Sequence, residues 1–350
     1  MKKQFFIPLV LFVSLLCTAS GCEEDPDPDD GNGNGNGEVY DPTGRISQDS
    51  IIINWSTGAD IPVEVGWSAV SVLDNKFYVI GGANQDLGTT NLVQIYDPVI
   101  DSWTQSDYKL LSRRWGHSSN ILDGTIYVMG GRATGKGDGN DTIEVFDFGL
   151  DGWLEKGLMT PGRIGHRTCV YDDKIYDFGG EFEEPSPNAL DLSDVYDPST
   201  ETWESLSPMP TPRIFHGICA VEDIIYAIGG GKNYPYAGIV SIEAYDPVEN
   251  TWKQRANLKH GLADFSVCVI DNKIFCMGGY ILWGTLGVTK VQVYDPEVDS
   301  VYMASDIQYP GYASTAVAFD NKIYLISGCT STPPGFGSFS PKLEIGVPEF

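Results

Sequence analysis

The sequence predicts an all-β fold, and three observations carry the prediction. Short β-branched and aromatic runs are punctuated by Gly, Asn and Asp-Pro, the pattern of strands and tight turns. Long apolar stripes of helical period are absent after the first twenty residues. A Gly-Gly pair returns with an almost fixed spacing, starting at Gly81, Gly130, Gly179, Gly229 and Gly278, with a degraded sixth copy at Gly328-Cys329. Successive starts lie 49, 49, 50, 49 and 50 residues apart, so one supersecondary unit is repeated six times.

The first 49 residues stand outside the repeats. Residues 1–21 read as a secretory signal: Lys2 and Lys3, an apolar stretch from Phe5 to Leu16, then Ala19-Ser20-Gly21 before Cys22. The apolar stretch is too short to span a bilayer. Small residues abutting a cysteine resemble a bacterial lipobox, which implies cleavage before Cys22 and a lipid on its thiol. Residues 22–49 hold an acidic run and a Gly-Asn repeat that cannot bury apolar area, so they read as a flexible tether. The expected destination is the outer membrane or cell surface, or else the periplasm or medium, with the membrane touched only through the lipid. A net charge of −26 argues against nucleic-acid partners.

Residues 50–350 hold the repeats, and each unit reads as four strands. Strand a alternates, as in "HSSNILD". A two-residue turn such as Asp74-Asn75 leads to strand b, which ends in the Gly-Gly pair. A longer loop leads to strand c, as in "VQIYDP". Strand d carries a tryptophan seven residues after the strand-c aromatic, at Trp103, Trp153, Trp203 and Trp252. Paired glycines permit close backbone approach, and the large aromatics can fill a wedge between twisted sheets. Cys169, Cys219 and Cys268 share one slot of strand a, a small buried position. With the turn at Asp271-Asn272, Cys268 faces Phe275, so Cys276 points to the other side of the sheet and no disulfide is expected.

These offsets of Gly-Gly, Tyr and Trp resemble the kelch-repeat family, over residues from about Ser50 to the C-terminus. The resemblance implies a six-bladed β-propeller of four-stranded blades around a central channel. The sixth unit lacks a strand d, while "SIIINWSTG" precedes the first unit with a tryptophan and no partner strands. The N-terminal strand is therefore expected to close the last blade, with Trp55 outermost beside Lys342–Pro348, leaving no open edge. Two departures predict weak points. Val301 replaces the tryptophan of unit five, and Gly346 replaces the aromatic of unit six.

Strand order places the long b–c loops and the d–a connections on one face, the expected binding face. Units two to four carry an Arg-x-x-His pattern there: Arg114/His117, Arg163/His166 and Arg213/His216. The corresponding pairs elsewhere are Val65/Ser68, Leu262/Phe265 and Gly311/Ser314. Three neighbouring arginines are expected to clamp an anionic group, with Arg113, Arg132 and Lys232 adding charge nearby. Trp67, Trp115 and Trp283 fall outside the structural slot and map to the same face, joined by Tyr234, Tyr236 and Tyr280. Aromatics of this kind suit a stacked sugar or a protein hot spot.

Phosphate loops, nucleophile elbows and metal-binding histidine pairs are missing. "GKGDGND" (Gly135–Asp141) lacks the closing glutamate of a calcium loop. The histidine set does not match the copper oxidases found on this fold. The leading expectation is a monomeric, non-catalytic binding module without metal or cofactor, taking a protein or an acidic carbohydrate. The alternative, implied by resemblance, is a sugar mutarotase or epimerase of the N-acetylneuraminate epimerase type. Its candidate acid–base groups are His117, His166, His216, Glu181, Glu183 and Glu184.

Overall fold

A computed structural model describes residues 50–133, 141–159, 161–182, 188–232, 236–330 and 338–349. The signal, Cys22, the tether, most of the Gly135–Asp141 run, Glu183, Glu184 and Tyr234 lie outside the described residues.

Every sequence unit forms its own four-stranded antiparallel array, in the order a-b-c-d. Unit one comprises Ala69–Leu73, Lys76–Ile80, Val93–Asp97 and Ser102–Gln105. Units two to five repeat this arrangement, ending in Ser300–Ala304 of unit five. The sixth array takes Thr315–Phe319, Lys322–Ile326 and Leu343–Glu349 from the C-terminus and Ser50–Thr57 from the N-terminus. The N-terminal strand pairs antiparallel with Leu343–Glu349 in the register Trp55 to Gly346, so the closure expected from the sequence is observed. The inner strands contact their neighbours in a complete circuit, unit six meeting unit one.

The arrays are not six separate sheets. Ser50 and Ile51 pair in parallel with Met303 and Ala304, which merges arrays five and six into one eight-stranded sheet. The two expected weak points look different for the same reason. The outer strand of unit five gains a hydrogen-bonded neighbour, and Val301 is buried in a cluster with Tyr226 and Tyr294. At Gly346, a Cβ would come within 2.7 Å of the Trp55 ring. The glycine therefore seats the tryptophan that arrives from the other terminus, and the slot is filled.

The strand-d tryptophans lock neighbouring units. The indole N–H groups of Trp103, Trp203 and Trp252 donate to the carbonyls of Ala59, Leu158 and Ser207, at 2.8, 3.0 and 2.8 Å. Trp55 donates likewise to Ser305 at 3.2 Å. Cys268 is paired with Phe275 and Cys276 with Val267, which separates the two thiols across the sheet. All five described cysteines are free thiols, and burial pushes those of Cys169 and Cys268 up to about 12, leaving them unreactive.

Candidate functional site

The Arg-x-x-His pattern builds the units. Arg114, Arg163 and Arg213 are at most 2% exposed. Their forks close on carboxylates of their own unit. Arg114 bonds Glu144, Arg163 reaches Asp177 at 2.6 Å and Asp194 at 2.8 Å, and Arg213 meets Glu243 at 3.1 Å. Other N–H groups reach backbone, Arg213 donating to the carbonyls of Gly229 at 2.6 Å and Ser241 at 3.0 Å, while the Nε–H of each arginine is buried without a partner among the described residues. A guanidinium so occupied has no fork left for an external anion, so the three-arginine clamp at the channel mouth is corrected to three internal ties.

The carboxylates themselves anchor loops. Glu144 accepts from the backbone N–H of Leu111 at 2.8 Å and Ser112 at 3.0 Å, and Glu344 of unit six does the same for Gln308 and Tyr309. Units one and five, which lack the arginine, hold a neutral Gln94 or Gln292 in the same strand-c slot. Glutamine there bonds the backbone without leaving a charge to be neutralised.

His117, His166 and His216 are also buried. Each ring packs on the Gly-Gly pair of the preceding unit, where a Cβ on Gly130 would come within 2.5 Å of His166. His117 Nε2 donates to the Ile80 carbonyl at 3.1 Å, and His166 lies 2.6 Å from Asp177. Burial holds His117 and His216 far below the ordinary imidazole range, hence neutral. Phe265 fills the equivalent position in unit five with another flat ring, while units one and six hold Ser68 and Ser314 there. Glu181 accepts from the Tyr236 hydroxyl at 2.6 Å, and burial raises its pKa. The histidines nominated as acid–base groups are therefore packed between units; of the three only His117, 3% exposed and neutral, also borders the central cavity.

The tryptophans share one face, but Trp67 is only 6% exposed and Trp115 and Trp283 are half-buried. The structure brings Trp67, Trp115 and Trp283 into one cluster with Tyr236 and Tyr280. Trp67 and Trp115 lie 5.4 Å apart, and Trp283 sits 5.5 Å from Tyr280. Phe215, Tyr312 and Phe339 complete the cluster and were missed by the sequence reading. Equivalent bridges in all six units, from Gly66–Ala83 to Tyr312–Cys329, place d–a and b–c connections on this same face. Beside the aromatics, Ile281, Leu282 and Leu286 are 50, 42 and 61% exposed.

Beneath the aromatics runs a closed ring of backbone hydrogen bonds. Gly116 donates to Trp67, Gly165 to Gly116, Phe215 to Gly165, Asp264 to Phe215, Ala313 to Asp264 and Trp67 to Ala313, at 2.8–3.0 Å. One residue comes from each unit. All six have positive φ, including the side-chain-bearing Trp67 (53°), Phe215 (51°), Asp264 (55°) and Ala313 (58°). Such backbone persists only when its surroundings enforce it. Next to this ring lies a cavity of about 170 Å³ between the inner strands, lined by small hydroxyl residues and by Arg167 and Asp264. Neither charged residue was picked out in the sequence, although each is the exception in its slot.

A closed circuit of four-stranded units with Gly-Gly, Tyr and Trp locks defines a β-propeller of kelch repeats. Comparison with known proteins agrees. The KLHDC2/KLHL20/DRC7 Kelch-repeats domain matches residues 66–279, and the Kelch motif matches residues 261–306. The chain belongs to the kelch-repeat family. It is 32% identical to Kelch-like protein 26 of Danio rerio over 114 residues, 33% of this chain and 18% of that protein. It is 31% identical to Kelch-like protein 35 of Mus musculus over 146 residues, 42% of this chain and 23% of that one. The chain thus spans about a fifth of the length of the curated relatives it matches. A solved structure titled "Structure of YjhT" matches with a TM-score of 0.70 and 14% identity, covering 81% of this chain and 95% of that one, a likeness of fold.

Proposed function

We propose that the chain is an exported, lipid-anchored kelch propeller that holds a protein partner on its b–c and d–a loop face, without catalysis. The observation that carries the reading is the aromatic cluster on that face with Ile281, Leu282 and Leu286 exposed beside it. In a chain of net charge −26, aliphatic side chains left in water next to the half-buried Trp283 are the signature of a contact surface. Kelch propellers serve generally as interaction modules, which supports the same reading. The acidic-carbohydrate version loses its clamp, because the arginines that would have formed it are spent internally.

The test is affinity capture from envelope extract with the wild type and a Leu282→Asp/Leu286→Asp variant of unchanged melting temperature. A protein retained by the first and lost from the second is the expected result. Identical captured sets from both would contradict the proposal, as would high-affinity binding of acidic sugars alone on a glycan array. The anchor is tested separately. Radiolabelled palmitate is expected in the wild type and not in Cys22→Ala.

A further inference from the structure

Arg167 and Asp264 break the repeat where the units otherwise agree. The slot after the His position holds Ala69, Ser118, Gly217, Ser266 and Thr315 in the other five units, and Arg167 in unit three. The ring slot holds Trp67, Gly116, Gly165, Phe215 and Ala313, and Asp264 in unit five. The architecture needs neither charge, since the other units are built without one. Units three and five are not neighbours, yet the two side chains meet in the cavity, with Arg167 Nη2 3.9 Å from Asp264 Oδ1.

That distance is an ion pair but not a hydrogen bond. Asp264 is 1% exposed, its Oδ2 accepts from the Trp67 indole at 2.7 Å, and its Oδ1 has no hydrogen-bond partner among the described residues. The hydroxyls of Ser68 and Ser118, both lining the cavity, are equally without partners among the described residues. Arg167 is a quarter exposed and donates to the His166 carbonyl at 3.1 Å through its other terminal nitrogen. A buried carboxylate oxygen left without a donor is costly and calls for an occupant.

We propose that this cavity binds a small neutral polyhydroxylated molecule, of polyol or monosaccharide size, one of whose hydroxyls accepts from Arg167 and donates to Asp264. A hydroxyl is the group that can play both parts at once. The gap between the two charged atoms admits one bridging oxygen. Neighbouring serine hydroxyls, which both donate and accept, suit further hydroxyls of the same ligand. A carboxylate ligand would compete with Asp264 for one guanidinium and meet its charge, and a cation would meet Arg167. The volume of about 170 Å³ lies below the range usual for drug-sized ligands, which restricts the occupant to a few carbons. This site shares Trp67 with the loop-face cluster, but its test rests on Arg167 and Asp264 and that of the loop face on Leu282 and Leu286, so either can fail alone.

Trp67 supplies the reporter, because its indole N–H is bonded to the other oxygen of Asp264. Indole proton–nitrogen NMR is recorded while glycerol, myo-inositol, D-glucose, D-galactose and D-glucuronate are added in turn. At least one neutral probe is expected to shift the Trp67 signal saturably while leaving that of Trp103 in place. Calorimetry of that probe with Arg167→Ser and Asp264→Gly, the residues that sister units carry, is expected to show at least tenfold weaker binding. Should Asp264→Gly fail to fold, Arg167→Ser alone decides. The proposal is overturned if none of the neutral probes saturates, if Arg167→Ser binds as the wild type does, or if D-glucuronate binds tenfold tighter than D-glucose.

Discussion

Arg163 and Arg167 lie four residues apart in one unit and have opposite circumstances. Arg163 is 2% exposed and grips two carboxylates of its own unit, and its counterparts Arg114 and Arg213 each grip one, Glu144 and Glu243. Arg167 faces the central cavity, has no counterpart in any other unit, and among the described residues meets one carboxylate, at 3.9 Å, from a unit that is not its neighbour. In a repeat protein, a residue that recurs is satisfied by the repeat. A residue that departs from its slot is free to face something outside it.

The comparison can be broken at several points. The largest effect is expected from removing residues 50–57, which leaves Leu343–Glu349 without its outer partner strand and opens both merged arrays. Such a chain is expected to aggregate or lose its cooperative urea transition, and a soluble chain with the wild-type transition would contradict the closure.

Next in size, Arg213→Leu strands a buried Glu243 and is expected to cost about 3–5 kcal/mol in urea unfolding. Adding Glu243→Gln reproduces the Leu262/Gln292 combination that unit five already uses, and is expected to restore most of the loss. An additive double variant would show that the pair does not act as one.

A smaller effect concerns Asp264, whose carboxyl burial raises to about 7 against the pull of Arg167 and the Trp67 indole. A carboxyl raised above its unfolded value of 3.8 favours the fold at low pH, and that contribution is lost as pH climbs through about 7. Between pH 5 and pH 7 the wild type is expected to lose roughly 2 kcal/mol relative to Asp264→Asn. Parallel stability curves for the two proteins would contradict it.

Much of the fold was legible because Gly-Gly, Tyr and Trp recur at fixed offsets and because the surplus Trp55 matched the strand missing at the C-terminus. The parallel pairing of Ser50 and Ile51 with Met303 and Ala304 was not, since nothing local marks a strand's second neighbour. The misplacement of the arginines has a cause that the sequence did contain. Glu144, Asp194 and Glu243 occupy the strand-c slot in the units with arginine, and Gln94 and Gln292 occupy it in two units without. Reading slots across units, and not one motif at a time, exposes that pairing. The same reading exposes Arg167 and Asp264 as exceptions, but their meeting depends on geometry across the ring that no spacing reveals. The tryptophans were placed on the right face because loop order alone fixed it.

The most direct test is to unfold Arg213→Ala and Arg167→Ser side by side in urea. The account predicts a loss of about 3–5 kcal/mol for the first, because Glu243 is left buried and unpaired. It predicts a change within about 1 kcal/mol for the second, because Arg167 is a quarter exposed and its 3.9 Å pair with Asp264 is no hydrogen bond. If Arg167→Ser is the more damaging of the two, the division between recurring residues that build and exceptional residues that bind is wrong.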